Sequence, residues 1–356
     1  MEIKIIPKLF LLIFLVGTLM ACNSKTTNEG VSSAETENSN EIITLKFATP
    51  SPTESPYAKN TIEPFMDRVT ELTDGKVQWD YYPSQQLGNM MDYINLTKDG
   101  VTDVAYFAAL NFKDEFPISS SLAGLPGLGT TGTEDSLAYH DVVTKSPILE
   151  TDFLSNGVYP VFVQVSYPFE FISRNKEIRV PSDLKGMQVM GNGGMMNELL
   201  KHLGATPVTL TTAEMFEAFD RGVIEAVHAV PSTAEAYGLG ELVHSSTNKT
   251  GAGAGPVGFM MNLDVWESLP KEIQDAFHKA TREISVSGMN VIEEDSAAVL
   301  EKWKENDVEV FDLTAEEKKK WEDAFAEFRE KWIAKQGKEF EEAYLLYLET
   351  LKQYQK

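Results

Sequence analysis

Apolar strand-like runs alternate with amphipathic helical runs through most of this chain, and that alternation constrains its fold more than any other feature of the sequence. Ile42 to Ala48 is a strand signal broken at Thr49-Pro50-Ser51-Pro52. From Tyr57 to Thr73, Ile62, Phe65, Met66, Val69 and Leu72 recur at three- and four-residue steps, the mark of one apolar helix face, and Asp74-Gly75 ends it. Val77–Tyr82 reads as a strand, 89–98 as a helix and 101–106 as a third strand. After a Gly/Pro/Ser/Thr-rich connection over 117–133 come a helix over 135–154 and a strongly apolar strand over 158–166. A second alternation then begins, with strand signals near 183–189, 206–210 and 226–229 and helices over 195–203 and from Thr212 to Gly222. Helical signals resume over 262–269, 271–290 and 293–304, then 316–332. Alternation of this kind predicts an α/β protein with a covered, mostly parallel sheet in each of two lobes.

The N-terminus does not belong to that pattern. Lys4 and Lys8 precede an apolar run from Leu9 to Met20, which at about 12 residues is short for a bilayer span and reads as a signal peptide over residues 1–21. Cys22, the only cysteine, follows Leu19-Met20-Ala21 directly, a layout that resembles a bacterial lipoprotein signal and makes Cys22 the expected lipid anchor. The alternative is a non-lipidated secretory peptide. Residues 23–40 are rich in Ser, Thr, Asn and Glu, too polar to offset the entropy of ordering, and are expected to be a flexible linker. With one cysteine, the body has no disulfide and must be held by packing.

Charge and motifs remove several function classes. The chain carries 54 Asp and Glu against 31 Lys and Arg, a formal net charge of -23, which opposes nucleic acid as a partner. The histidines at 140, 202, 228, 244 and 278 form no close ligand motif, so no metal or other cofactor is expected. There is no Gly-x-Ser-x-Gly elbow. Gly191-Asn192-Gly193-Gly194 precedes a helix but lacks the Gly-Lys-Ser/Thr of a phosphate loop, leaving a tight turn or a cleft-lining backbone. Trp321, Phe325, Phe328 and Trp332 at helical spacing read first as the packed face of an amphipathic helix. An enzyme is not expected.

Several segments, in order, resemble the dicarboxylate-binding-type solute receptors of tripartite ATP-independent periplasmic (TRAP) transporters. They are Leu45-Lys46-Phe47-Ala48-Thr49; Thr73-Asp74-Gly75-Lys76-Val77 with Tyr82-Pro83-Ser84-Gln85-Gln86-Leu87-Gly88; Ile178-Arg179-Val180-Pro181-Ser182-Asp183-Leu184-Lys185-Gly186; Gly222-Val223-Ile224-Glu225; and Met261 to Pro270. The resemblance implies a two-lobed periplasmic-binding-protein-like fold of type II, with hinge-linked lobes around a central ligand cleft. It implies lobe 1 over 41–166, lobe 2 over 167–255, and a return to lobe 1 over 256–356 with C-terminal helices spanning or packing on both lobes. The implied partners are a small organic solute and integral-membrane permease subunits, with the receptor a monomer. A sensory binding lipoprotein of the same architecture is the alternative.

Members of that family usually hold a carboxylate with an arginine at the third position of a Lys-Ile-Arg-like triplet after Asp-Leu-Lys-Gly. Here the triplet is Gln188-Val189-Met190, so either the planar donor fork is replaced by a soft apolar chain or the register drifts, Arg179 being the nearest arginine. The first reading predicts a neutral, cationic or partly apolar ligand. The family's cleft positions map to Ser51, Gln86, Tyr106 and Asn111 in the first lobe. Asn192, Phe216, His228 and Trp266 are added in the second, and Tyr167 and Phe169, with Phe171, form an aromatic series at the crossing. His228 is either a polar contact or a core histidine, and the aromatic series either a stacking wall or core.

Overall fold

The computed structural model describes residues 42–129, 131–210 and 212–355; the expected signal peptide, the expected lipid anchor Cys22 and the expected linker lie outside them. The first sheet is built from β1 (Ile43–Ala48), β2 (Val77–Tyr82), β3 (Val104–Ala108) and β4 (Val158–Val165), interleaved with α1 (Glu63–Leu72), α2 (Tyr93–Lys98) and α3 (Gly132–Val143). The second begins with β5 (Glu170–Ser173) and β6 (Gln188–Gly191), and continues through α4 (Gly194–His202), β7 (Thr206–Thr209), α5 (Thr212–Asp220), β8 (Ala226–Ala229), α6 (Pro231–Ala236) and β9 (Ser245–Asn248). The chain then returns as β10 (Pro256–Asn262) and α7 (Leu263–Ser268), runs through α8 (Lys271–Glu305), adds β11 (Glu309–Asp312), and ends in α9 (Ala315–Ile333) and α10 (Lys338–Leu351).

The strand orders are β2-β1-β3-β10-β4 and β11-β9-β5-β8-β6-β7. Both sheets are mixed, which corrects the expectation of mostly parallel ones. β1 is parallel to β2 and β3, but β10 is antiparallel to both β3 and β4. In the second sheet β5 is antiparallel to β8 and β9, while β6 is parallel to β7 and β8. The antiparallel strands are those that enter or leave a lobe at the crossing, where a chain coming from the other lobe meets the sheet from its far end. Pro160 sits in β4, an edge strand, beside the register shift at Phe259/Met260, where a missing N–H is tolerated.

Apolar periodicity and packing agree closely in the first lobe. Phe65, Met66 and Val69 of α1 join Leu45, Phe47, Val161 and Phe259 in one cluster, closed by Ile273, Phe277 and Ile284 of α8. β4 buries both faces because α3 covers the other side, where Ala138, Tyr139 and Val142 meet Val163 and Val165. The helix expected over 135–154 stops at Val143; Pro147, which cannot continue the hydrogen-bond ladder, separates it from a short π turn over Leu149–Phe153. Conversely, the two helices expected over 271–290 and 293–304 are one 35-residue α8, roughly 50 Å long. Its first half packs into the first lobe, and Leu300 and Trp303 near its end pack into the apolar cluster of the second. α8 thus touches both lobes. Trp321, Phe325 and Phe328 of α9 are buried, with Trp321 stacked on Phe171 at 5.1 Å.

Candidate functional site: a cleft between two lobes

Three backbone passages bring the walls of a cavity of about 940 Å³ together. The first is the Pro-rich loop that leaves β1. Ser51 lies in it, and Ser55 Oγ accepts from Ala58 N at 3.2 Å, starting the helical turn that presents Tyr57 and Thr61. The second is the segment leaving β8, where Pro231 opens α6 and Ser232, Thr233 and Tyr237 reach the cavity. The third is α8, whose Ile292, Asp295, Val299 and Lys302 fall on one face at helical spacing. The loops lie at the carboxyl ends of β1 and β8, where α/β proteins gather ligands.

Tyrosines dominate one wall. On β3 the alternation turns Ala105 and Phe107 into the core and leaves Tyr106 half-buried at the cleft, its ring edge-on to Tyr57 at 5.9 Å. Burial pushes both phenols well above their ordinary pKa, so they act there as neutral hydroxyls. The Tyr57 hydroxyl and Thr61 Oγ1 are buried without a hydrogen-bond partner, an uncompensated desolvation. On the facing wall Lys302 donates to Glu235 Oε1, and Trp303 Nε1 donates to Glu235 Oε2 at 2.7 Å. Burial works to raise the Glu235 pKa, but these hydrogen bonds and the Lys302 charge hold it below the usual range.

Ser51, Tyr106 and Tyr167 line this cleft. The other expected residues do not, and each has a definite place elsewhere. Gln86 and Asn111 are exposed. Met190 is buried in the second lobe's apolar cluster with Met215, Phe219 and Val227. Asn192 donates from Nδ2 to the His228 carbonyl at 3.1 Å. Phe216 is exposed beside Gly238. Trp266 is in the first lobe rather than the second, because α7 follows β10; it stacks on Tyr159 at 4.2 Å with 9° between the rings. Gly193 and Gly194 both hold left-handed backbone angles (φ 80° and 45°) at the start of α4, a tight turn that a side chain would strain.

His228 is a core histidine in this geometry. Its ring stacks on Phe171 at 4.8 Å and meets the edge of Phe169 at 5.1 Å. Nε2 lies 3.0 Å from the Ala252 carbonyl, which only accepts, so Nε2 carries the proton and the buried Nδ1 is bare and unpartnered. Burial pushes its pKa down to about 4.

Both crossing segments are tied by Glu170, buried at the start of β5. It accepts from Thr247 Oγ1 at 2.5 Å, Lys249 N at 2.7 Å and Thr250 Oγ1 at 2.8 Å, and burial raises its pKa to about 7. Tyr167 borders the cleft and also a second cavity of about 750 Å³, lined on α8 by Asn290, Glu293, Glu294 and Ala297, the opposite flank of that helix. Among the described residues no group of three or more His, Cys, Asp or Glu is placed to hold a metal, and no helix is long and apolar enough to cross a membrane.

Residues 47–336, most of the chain, match the model of DctP, the bacterial extracellular solute-binding proteins of family 7. The chain belongs to this family. A C4-dicarboxylate-binding periplasmic protein, DctP, of Rhodobacter capsulatus is 22% identical over 312 residues, covering 84% of this chain and 89% of the relative. A monocarboxylate 2-oxoacid-binding periplasmic protein of Nostoc is 35% identical over 119 residues, about a third of each chain. Among solved structures, a TRAP periplasmic solute-binding protein of Desulfovibrio salexigens in an open complex aligns with TM-score 0.75 at 24% identity, covering 88% of this chain and 96% of its own. A marine metagenome TRAP solute-binding protein specific for aromatic acid ligands, in complex with 3-hydroxybenzoate, aligns with TM-score 0.76 at 21% identity over 89% and 100%. At these identities the structures establish the shared two-lobed fold of this DctP-family chain.

Most cleft residues missed in the sequence share one trait. Tyr57, Thr61, Asp295 and Lys302 sit on helical segments whose apolar spacing reads as ordinary core packing, whereas Tyr237 follows the short α6, which has no apolar period to read. For α8 the available signal was a charged pair, Asp295 and Lys302, seven residues apart on a face otherwise made of Ile292, Ala298 and Val299.

Proposed function

We propose that this chain is the extracytoplasmic solute receptor of a tripartite ATP-independent transporter, closing its lobes on a small organic solute and delivering it to the membrane permease. The observation that carries this reading is the cleft itself: its walls come from both lobes and from the helix they share, so closure would enclose a solute between them. Cys22 is the proposed lipid anchor; two acyl chains there give stable attachment where one gives reversible binding.

The same reading takes the solute to be neutral, cationic or partly apolar rather than a simple dicarboxylate. No arginine is among the cleft-lining residues, and the position where the family resemblance implies one is Met190, packed in an apolar cluster. A dicarboxylate enclosed here would lack a bidentate partner and lose hydration without compensation. Calorimetric titration of the mature chain with succinate, malate, benzoate, choline and glycerol tests the assignment. Heat from a neutral, cationic or aromatic solute with none from the C4 dicarboxylates is expected; tight succinate binding would sink it.

A further inference from the structure

Lys302 is the one cation among the described residues that line the cleft, and its ammonium has donors to spare. It donates to Glu235 Oε1, yet an ammonium carries three N–H groups and the Lys302 side chain is 58% exposed. Glu235 also accepts from Trp303 Nε1 at 2.7 Å, so its carboxylate keeps a partner when Lys302 turns toward a solute. The local chain is shaped around this trio: a Cβ at Gly240 would lie 2.1 Å from Glu235 Oε2 and 3.2 Å from Trp303 Nε1. Two turns earlier on the same face of α8, about 10 Å along the axis, stands Asp295, exposed and without an ion pair or hydrogen bond among the described residues. The wall beside them is apolar, with Ile292 and Val299 on α8 and the partly exposed rings of Tyr106, Tyr167 and Tyr237.

We infer that Lys302 is the carboxylate-binding residue of this cleft, and that the cleft takes a solute with a single carboxylate and an apolar or aromatic body. This rests on the receptor reading and narrows the partly apolar solute proposed there. A carboxylate losing its water as the lobes close needs a charged donor, and Lys302 alone supplies one. Its body then lies against Val299 and the tyrosine rings, which bury apolar surface at little cost in side-chain freedom. A second carboxylate carried along α8 meets Asp295 as a like charge with no cation to offset it, so Asp295 sets the cleft against dicarboxylates.

The test is calorimetric titration of the full mature chain and its Lys302→Gln, Lys302→Arg, Glu235→Gln and Asp295→Asn variants with benzoate, phenylacetate, terephthalate, succinate and neutral benzamide. Benzoate or phenylacetate is expected to bind the native chain, with affinity lowered about tenfold or more by Lys302→Gln and largely kept by Lys302→Arg. Glu235→Gln should raise that affinity several-fold, because it frees Lys302 from its counter-ion while the amide oxygen still accepts from Trp303; a lysine that only braced α8 would give no gain. Asp295→Asn should strengthen terephthalate several-fold and leave benzoate nearly unchanged. Lys302→Arg and Glu235→Gln keep the test decisive if Lys302→Gln melts early. Benzoate and phenylacetate affinities indifferent to Lys302→Gln, benzamide bound as tightly as benzoate, or a native preference for succinate or terephthalate overturns the inference and leaves the receptor reading standing, whereas no binding by any probe overturns both.

Discussion

Protonation of His228 should unfold this protein from within, and replacing it with glutamine isolates the effect. The neutral ring is sandwiched against Phe171 and Phe169, donates from Nε2 to Ala252 and leaves Nδ1 bare. A second proton would place an N–H on Nδ1 with no acceptor, inside a site that has already excluded water. Burial therefore depresses the folded pKa from 6.5 to about 4. The sign follows from linkage. Above pH 6.5 both folded and unfolded chains are neutral at this residue and the contribution is constant; between 6.5 and 4 the unfolded chain takes up a proton that the native one refuses, and stability falls as the pH falls. A depression of about 2.5 units at 1.36 kcal/mol each corresponds to about 3 kcal/mol lost by pH 4.

His228→Gln keeps an amide donor for Ala252 and removes the titration. At pH 7.5 the variant should be less stable by about 1 kcal/mol, the value of the lost ring stacking. By pH 4 the order should reverse, because only the native chain has lost its histidine contribution. Urea unfolding of both proteins at pH 7.5, 6, 5 and 4, followed by fluorescence and circular dichroism to confirm a single transition, reads the difference directly. Asp135, Asp152 and Glu170, with pKa values raised by burial to about 7, 6 and 7, titrate in both proteins and drop out of the comparison. A stability gap that stays the same from pH 7.5 to 4 would refute the burial argument.

Three further outcomes follow from the same geometry. Thr247→Val removes a donor to Glu170 and an acceptor for Phe171 N, and should destabilise by about 2 kcal/mol. Because the raised Glu170 pKa makes its charge costlier as pH rises through about 7, that penalty should be larger at pH 8 than at pH 5.5 in urea titrations; a pH-independent penalty contradicts it. Trp266→Ala removes the stack on Tyr159 and should cost about 3–5 kcal/mol by denaturant unfolding, while solute affinity measured well below the melting temperature stays native. Tyr57→Phe deletes a buried hydroxyl that has no hydrogen-bond partner; the expected result is an unliganded protein up to about 1 kcal/mol more stable, read by thermal melts, and a lower melting temperature contradicts it.

The fold was legible where burial is one-sided and obscure where it is not. α1 shows its apolar residues at helical spacing because its other face meets water, and the same holds for α9. β9 shows nothing: Ser-Ser-Thr-Asn is a polar sequence, yet its first three residues are buried, held by Ser245 Oγ on the Lys176 carbonyl and Thr247 Oγ1 on Glu170. Hydrogen bonding there replaces the hydrophobic alternation that strand recognition depends on. β10, Pro-Val-Gly-Phe-Met-Met-Asn, fails for the opposite reason, since a strand buried on both faces has no period to read. Gly258 adds a second constraint in that strand, where a Cβ would come within 2.1 Å of the Phe162 carbonyl.

The cleft was harder to read than the fold because lining a cavity and lining a core demand the same side chains. Ser51 and Tyr106 were legible because the family resemblance puts the cleft mouth at the ends of strands, and Tyr167 because it lies at the crossing. Asp295 was not, since its place depends on how a 35-residue helix passes between two lobes whose sheets are assembled from distant segments. Met190 illustrates the limit from the other direction. Along β6, Val189 enters the cluster that contains Leu199 and Leu200, and Met190 the one that contains Met215 and Phe219. A strand position therefore carries two different meanings, its place along the chain and its side of the sheet. An arginine introduced at 190 would put an uncompensated charge into an apolar cluster, so regaining a carboxylate clamp in this receptor requires the cluster around α5 to open as well as the single substitution.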